Sequence, residues 1–280
     1  MAFQIAAELR YQVHERSTVF LNLHALATLN QSLRNENFAV TPGVSCEFFP
    51  REAGENLSVR LDTGGVSDLL ITYSVEVETH PDVRPARPII DAPTSHFDHR
   101  ALPYLFPSRY CQSDRLSAFA FQKFGDLGHP LTQVSAITDW IFETIDYAPG
   151  SSGADTSACD TIIQRAGVCR DFAHLGISLC RALSIPARYF SGYACDMQPP
   201  DFHACFEACI GNQWFVFDPT RLSSPNGLIR IATGRDAADT STATIFGSIE
   251  LTHMRVSCTA DHFEPMNRAD LEGMAVLLEP

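Results

Sequence analysis

The sequence predicts an α+β protein: an N-terminal β-sandwich, followed by helices packed on an antiparallel sheet. Three observations carry this prediction. Over the first part of the chain, apolar and polar side chains alternate with a period of two. From residue 113 to about 183, apolar positions recur every third or fourth residue. Beyond that, the period returns to two. The 280 residues are 45% hydrophobic, which suits one large or two modest domains with ample core. The expected division is a sandwich over 1–90, a connector over 91–112 and an α+β core over 113–280.

In "AELRYQV", Ala7, Leu9, Tyr11 and Val13 alternate with Glu8, Arg10 and Gln12. In "SVRLDTGGVSDLLITYSVEVE", two alternating runs flank the turn signal Gly64-Gly65, and Leu69, Ile71, Tyr73, Val75 and Val77 share one face. One polar side per strand indicates antiparallel sheets in a small sandwich. Residues 81–107 carry Pro81, Pro85, Pro88, Pro93, Pro103 and Pro107 and read as connector, with Phe97, Tyr104, Leu105 and Phe106 available to order it.

A helix begins at the cap Ser113 and stops at Gly125. Val134, Ile137, Ile141 and Ile145 form the stripe of a second. A short helix is expected around 156–165, and a longer one runs to about Leu183. The strands "ARYFSGYAC", "HACFEACI" and "WFVFDPT" follow, then "GLIRIAT" and "IELTHMRVSC". There is no internal repeat or low-complexity tract.

Thirty-three acidic against 20 basic residues give a net charge of −13 and no Lys/Arg stripe, which argues against nucleic acid as a partner. No apolar run is long enough to cross a bilayer. The start "MAFQIAAELRY" lacks a basic region followed by an apolar one, so a cytoplasmic location is expected. Nine cysteines without a secretory signal imply reduced thiols, most of them small buried hydrophobes.

Cys169 stands apart from the other eight. It lies in "GVCRDFAHL", after Gly167 and before the helical spacing of Phe172, Leu175, Leu179 and Leu183, hence near a helix N-terminus. Gly167 is expected to supply a backbone conformation closed to other residues. Unpaired amides and the macrodipole at a helix start stabilise an anion, which favours a thiolate. Asp171 in the first turn suits the dipole but repels a thiolate, and Arg170 can offset it. Cys180, mid-helix among apolar residues, is structural.

A cysteine nucleophile needs a base and something to hold that base. In "FHACFEACIGNQWFVFDPT", Gly211-Asn212 fits a two-residue hairpin loop of the glycine-first type, pairing Ile210 with Gln213. Counting outward puts His203, Cys205, Asp218 and Thr220 on one face. His203 and Asp218 become diagonal neighbours at roughly 7–8 Å, which their side chains can span. Read singly, His203 would be a core histidine and Asp218 a turn-forming Asp-Pro; together with Cys169 they form a nucleophile, a base and its orienter. The backbone N–H of Cys169 is the natural oxyanion donor, with Gln164 or Trp214 as the second.

No metal or cofactor is expected. Cys195, His203, Cys205 and Cys209 cluster in sequence, but Cys205 and Cys209 on one strand lie ~13 Å apart, too far for one zinc. "TGG" and "GSSG" lack the frame of a phosphate loop.

The ordered blocks "GVCRDFAHLGISLCRALSIPARYFSGY", "DFHACFEA", "WFVFDPTR" and "IATGRDAAD" resemble the bacterial transglutaminase-like superfamily. "LRYQV" and the strands before residue 90 resemble the β-domain that often precedes that core, and "YLFPSRYCQSD" its junction. The resemblance implies a papain-like core geometry and carries the family's cysteine, histidine and aspartate onto Cys169, His203 and Asp218. It implies a thioester on Cys169. Water as acceptor makes a cysteine peptidase or amidase acting on peptides, proteins or other amides. An amine as acceptor makes a protein-glutamine transglutaminase. A non-catalytic scaffold that keeps the fold is the third reading. Where family members often carry a large aromatic two residues after the histidine, this chain has Cys205.

Overall fold

The structure is a computed structural model describing residues 1–50, 56–86 and 89–278. In chain order its strands and helices are β1 (Ala2–Val13), β2 (Thr18–Leu21), β3 (Gln31–Thr41), β4 (Ser45–Pro50), β5 (Leu57–Asp62), β6 (Asp68–Thr79), β7 (Asp82–Pro85), α1 (Ser113–Phe124), α2 (Pro130–Thr144), β8 (Asp146–Tyr147), α3 (Ala158–Gln164), β9 (Ala166–Gly167), α4 (Cys169–Ala182), β10 (Ala187–Ala194), β11 (His203–Ile210), β12 (Gln213–Phe217), β13 (Leu228–Gly234), α5 (Ala237–Thr240), β14 (Ala243–Phe246), β15 (Ile249–Thr259), α6 (Arg268–Leu271) and β16 (Met274–Leu277).

Two four-stranded sheets, ordered β15-β1-β6-β3 and β14-β2-β5-β4, make the sandwich. The period-two pattern explains their shared core: Leu9, Tyr11, Leu69, Ile71, Tyr73, Val75 and Val77 from one sheet are buried with Val19, Leu21, Val59 and Leu61 from the other. The chain turns at Gly64-Gly65 between β5 and β6 and passes from one sheet to the other. β14 and β15 extend these sheets, pairing with β2 and β1, although both lie within the 113–280 segment. An exposed ladder edge needs a partner, and nothing local marks one more than two hundred residues away.

Part of the proline-rich stretch is also structured. β7 pairs antiparallel with β16, and Thr94–His96 and His99–Leu105 form 3-10 turns. Pro88 lies outside the described residues.

The other large sheet, β12-β11-β10-β13, is antiparallel, with α4 against one face. Phe172, Leu175 and Leu179 of α4 bury against Ala204, Phe206, Ala208 and Ile210 of β11. Gly176 permits that closeness, because a Cβ there would sit 2.5 Å from the Phe206 ring. Complete burial of a side chain such as Phe206 contributes ~2–3 kcal/mol. The opposite face, through Tyr193, Ile229 and Ile231, merges into the sandwich core. This sheet is therefore clamped between a helix layer and the sandwich. No helix among the described residues is long and apolar enough to cross a membrane.

Candidate active site

Cys169 is the first residue of α4, with Val168 as its N-cap. A valine has no side-chain acceptor for the free amides of a helix start. Asp171 compensates from the third helical position: its Oδ2 accepts from Val168 N at 2.9 Å and from the Ser152 hydroxyl, and its Oδ1 accepts from Arg170 Nη2 at 3.0 Å. Wholly buried, Asp171 holds the loop before the cysteine, and Arg170 pairs with it directly. The carboxylate is a frame for the helix start and takes no position as a reacting group.

Gly167 matters for a reason other than the expected one. It does not adopt a positive φ; the left-handed residue is Arg165, φ 55°, which ends α3. β8 and β9 pair in parallel, Tyr147 with Gly167, and a Cβ on Gly167 would lie 2.7 Å from Asp171 Cβ. Glycine is required here by close approach.

The β11–β12 hairpin has the expected register, Ile210 opposite Gln213. Its turn differs: Gly211 and Asn212 both have positive φ (60° and 62°), so both central residues are left-handed rather than the glycine alone. His203 opens β11 and Asp218 follows β12, and the imidazole Nε2 lies 2.8 Å from Asp218 Oδ2. The carboxylate can only accept, so Nε2 carries a proton. Asp218 also accepts from Thr220 N at 2.9 Å and Thr220 Oγ1 at 2.7 Å. Burial pushes the Asp218 carboxyl up, but His203 and the two Thr220 donors outweigh it and hold it below its usual range.

Burial by itself would lower the His203 value. Asp218 and then Cys169 overcome it and raise it from 6.5 to about 10. The other ring nitrogen, Nδ1, is buried and makes no hydrogen bond, while Cys169 and the charge of Asp201 also act on the ring. The three predicted residues are thus brought together: the ring bonds Asp218 and feels Cys169. Cys169 is half-buried, while the side chains of His203 and Asp218 are 0% and 4% exposed. A polarised ring in a water-poor setting can hold a proton taken from the thiol and return it.

Neither predicted second oxyanion donor is there. Gln164 is exposed at the end of α3. Trp214 opposes Cys209 near the hairpin tip, edge-on to Tyr104 at 5.3 Å and under Arg188 at 4.3 Å. Sequence reasoning missed Tyr147. Its hydroxyl feels the backbone N–H of Cys169, its ring rests on Phe172 at 5.8 Å, and burial pushes its phenol up to about 12, so it keeps its O–H. The two-residue β8–β9 bridge places it, and a bridge that short leaves no periodic signal. Cys205 is fully buried; burial first, then Asp218, pushes its thiol well up, so it remains neutral beside the base. His174, also absent from the prediction, is buried within α4; its Nε2 accepts from Ala237 N at 3.1 Å and its ring stacks on Tyr110 at 4.9 Å.

An antiparallel sheet backed by a helix whose first residue is a cysteine, beside a His–Asp pair on the adjoining strands, defines a transglutaminase-like, papain-like class of fold. The comparisons agree: residues 117–219 match the transglutaminase-like superfamily core, and residues 1–84 match the bacterial transglutaminase N-terminal domain. The crystal structure of a "putative cysteine protease" from Cytophaga hutchinsonii is 46% identical, superposes with a TM-score of 0.95, and covers 100% of this chain and 98% of that one. The chain belongs to the transglutaminase-like superfamily. An uncharacterized protein of Mycobacterium leprae is 31% identical over 144 residues, 48% of this chain and 51% of that protein. An uncharacterized protein of Mycobacterium tuberculosis is 31% identical over 127 residues, 39% of this chain and 40% of that protein. This chain thus spans about half or less of the length of these curated relatives.

Proposed function

We propose that this protein is a thiol-dependent hydrolase of amide or peptide bonds that works through an acyl-enzyme on Cys169. The observation that carries the reading is the buried 2.8 Å bond between His203 Nε2 and Asp218 Oδ2, with Nδ1 unpartnered and Cys169 acting on the same ring. Cys169 Sγ adds to the scissile carbonyl carbon as its proton passes to His203 Nδ1. The carbonyl oxygen takes the negative charge as the Cys169 N–H turns to it from the Tyr147 hydroxyl oxygen, and the Tyr147 O–H donates to the same oxyanion as the second donor. Collapse expels the amine, which leaves with the proton from Nδ1, and forms a thioester. Water, deprotonated by the same nitrogen, adds to the thioester; the second collapse frees the carboxylic acid and returns the proton to Cys169. Asp218 keeps its charge throughout and orients the ring. Peptides or proteins are the substrate class that the fold supports.

The test is turnover of a library of N-blocked peptide p-nitroanilides, with and without a primary amine at millimolar concentration. Release of nitroaniline that is abolished in Cys169→Ala, with free acid as product even when amine is present, supports the reading. An amide of the added amine as the main product would replace hydrolysis with acyl transfer. Absence of turnover, and of any acyl adduct on Cys169 by mass spectrometry, would leave a non-catalytic scaffold and overturn the proposal.

A further inference from the structure

Cys195 and Cys258 meet where the two halves of the molecule join. Cys195 follows β10, the strand paired with β11, and Cys258 lies in β15 at the edge of the sandwich. They come from opposite sides of the interface and share its buried core. The backbone fixes their approach: Asp196 N donates to Cys258 O at 3.2 Å, and Cys195 N donates to Gly227 O at 2.9 Å. Gly227 leaves room for the Cys195 side chain, since a Cβ there would lie 3.2 Å from Cys195 Cβ. The Cys195 thiol feels the Cys258 thiol, the Ala260 backbone N–H and the opposing Asp196 carboxylate. Cys195 and Cys258 are 4% and 7% exposed. Cys258 nevertheless lines an open cleft that also borders Asp196, Met197 and Asp201. Nothing in the candidate catalytic apparatus uses either thiol.

We propose that Cys195 and Cys258 are a redox-active pair, oxidised by small disulfides to an intramolecular disulfide that joins β10 covalently to the sandwich. Cys195 is the attacking group. Its thiol is held below its ordinary range by the bond from Cys258, whereas Cys258 is pushed up by the same bond and by burial. The Cys195 thiolate attacks one sulfur of a small disulfide such as oxidised glutathione, forms a mixed disulfide and displaces one small thiolate. Cys258, losing its proton to that thiolate, attacks the Cys195 sulfur and displaces the second. Two protein thiols are oxidised, one small disulfide is reduced to two thiols, and the two protein protons end on them.

The new bond would cross-link the strand that leads, through residues 196–202, to His203. A cross-link spanning some sixty residues restricts the unfolded chain strongly, so the oxidised protein is expected to melt about 5 °C or more above the reduced one.

The test uses the full chain with Cys46→Ser and Cys169→Ser, treated with oxidised glutathione, then alkylated under denaturing conditions and mapped without reduction. The expected result is loss of two hydrogens, a Cys195–Cys258 linked peptide, and reversal by dithiothreitol. Adding Cys258→Ser should arrest the reaction at a glutathione adduct on Cys195, and adding Cys195→Ser should leave Cys258 unmodified. Retention of both thiols, a link between another pair, or the same products in the Cys258→Ser protein would overturn the proposal.

Discussion

Asp218→Asn tests the electrostatics of the candidate site. The rise of His203 from 6.5 to about 10 corresponds to ~5 kcal/mol favouring the imidazolium. Free cysteine at pH 6 is ~0.3% thiolate, which caps the advantage of a fully paired thiolate at ~300-fold. Its weaker intrinsic nucleophilicity removes about a factor of ten and leaves ~30-fold. Asparagine keeps the shape of Asp218 and removes its charge. Burial, the largest influence on the ring, is then opposed by Cys169 and the weaker charge of Asp201, and the His203 value falls. The assay is the rate of Cys169 carbamidomethylation by iodoacetamide in a Cys46→Ser background, because Cys46 is the exposed cysteine. At pH 6 the parent should react ~30-fold faster than free cysteine, and Asp218→Asn should lose most of that advantage. A second readout is stability. A group whose folded value is raised stabilises fully below its unfolded value, 6.5, and loses that contribution as pH climbs to about 10. Asp218→Asn should flatten the decline of stability in that window. Equal alkylation rates at pH 6 in folded parent and variant would refute the reasoning.

Tyr147→Phe should lower kcat/KM on a peptide p-nitroanilide by ~100-fold while leaving the iodoacetamide rate of Cys169 within about twofold, because haloamide alkylation develops no oxyanion. His174 is fully buried, and burial, aided by Arg170, lowers its value from 6.5 to about 3. The unfolded chain therefore binds the extra proton first, and stability is lost as pH falls from 6.5 towards 3. Urea titrations at pH 7.5 and 4.5 should show the parent losing ~2–3 kcal/mol more than His174→Gln.

The residue pattern revealed the regular parts of the molecule because burial acts on them directly. α4, β10, β11 and β12 follow period 3.6 or period 2, and the two-residue loop at Gly211-Asn212 fixes a register that carries His203 to Asp218. Cys169 was legible through the helix it begins. What escaped was contact between distant segments. β14 and β15 alternate like any strand, and nothing in them names β2 and β1 as partners. Tyr147 and the Asp171 anchor depend on a two-residue bridge and on Ser152, interactions too short to have a period. Gly167 was legible as a special position, but the reason, the nearness of Asp171, is tertiary.

The return of β14 and β15 to the sandwich makes residues between β6 and β14 a guest inserted into a host, leaving and re-entering through neighbouring strands of the same body. A guest tethered at both ends cannot swing freely on a single flexible leash, so the orientation of Cys169 relative to the sandwich is governed by a near-rigid frame. Cutting the chain after residue 84 would strip β1 and β2 of β15 and β14, baring two ladder edges. The N-terminal segment by itself should then seek foreign strands, and separating the halves calls for circular permutation rather than truncation.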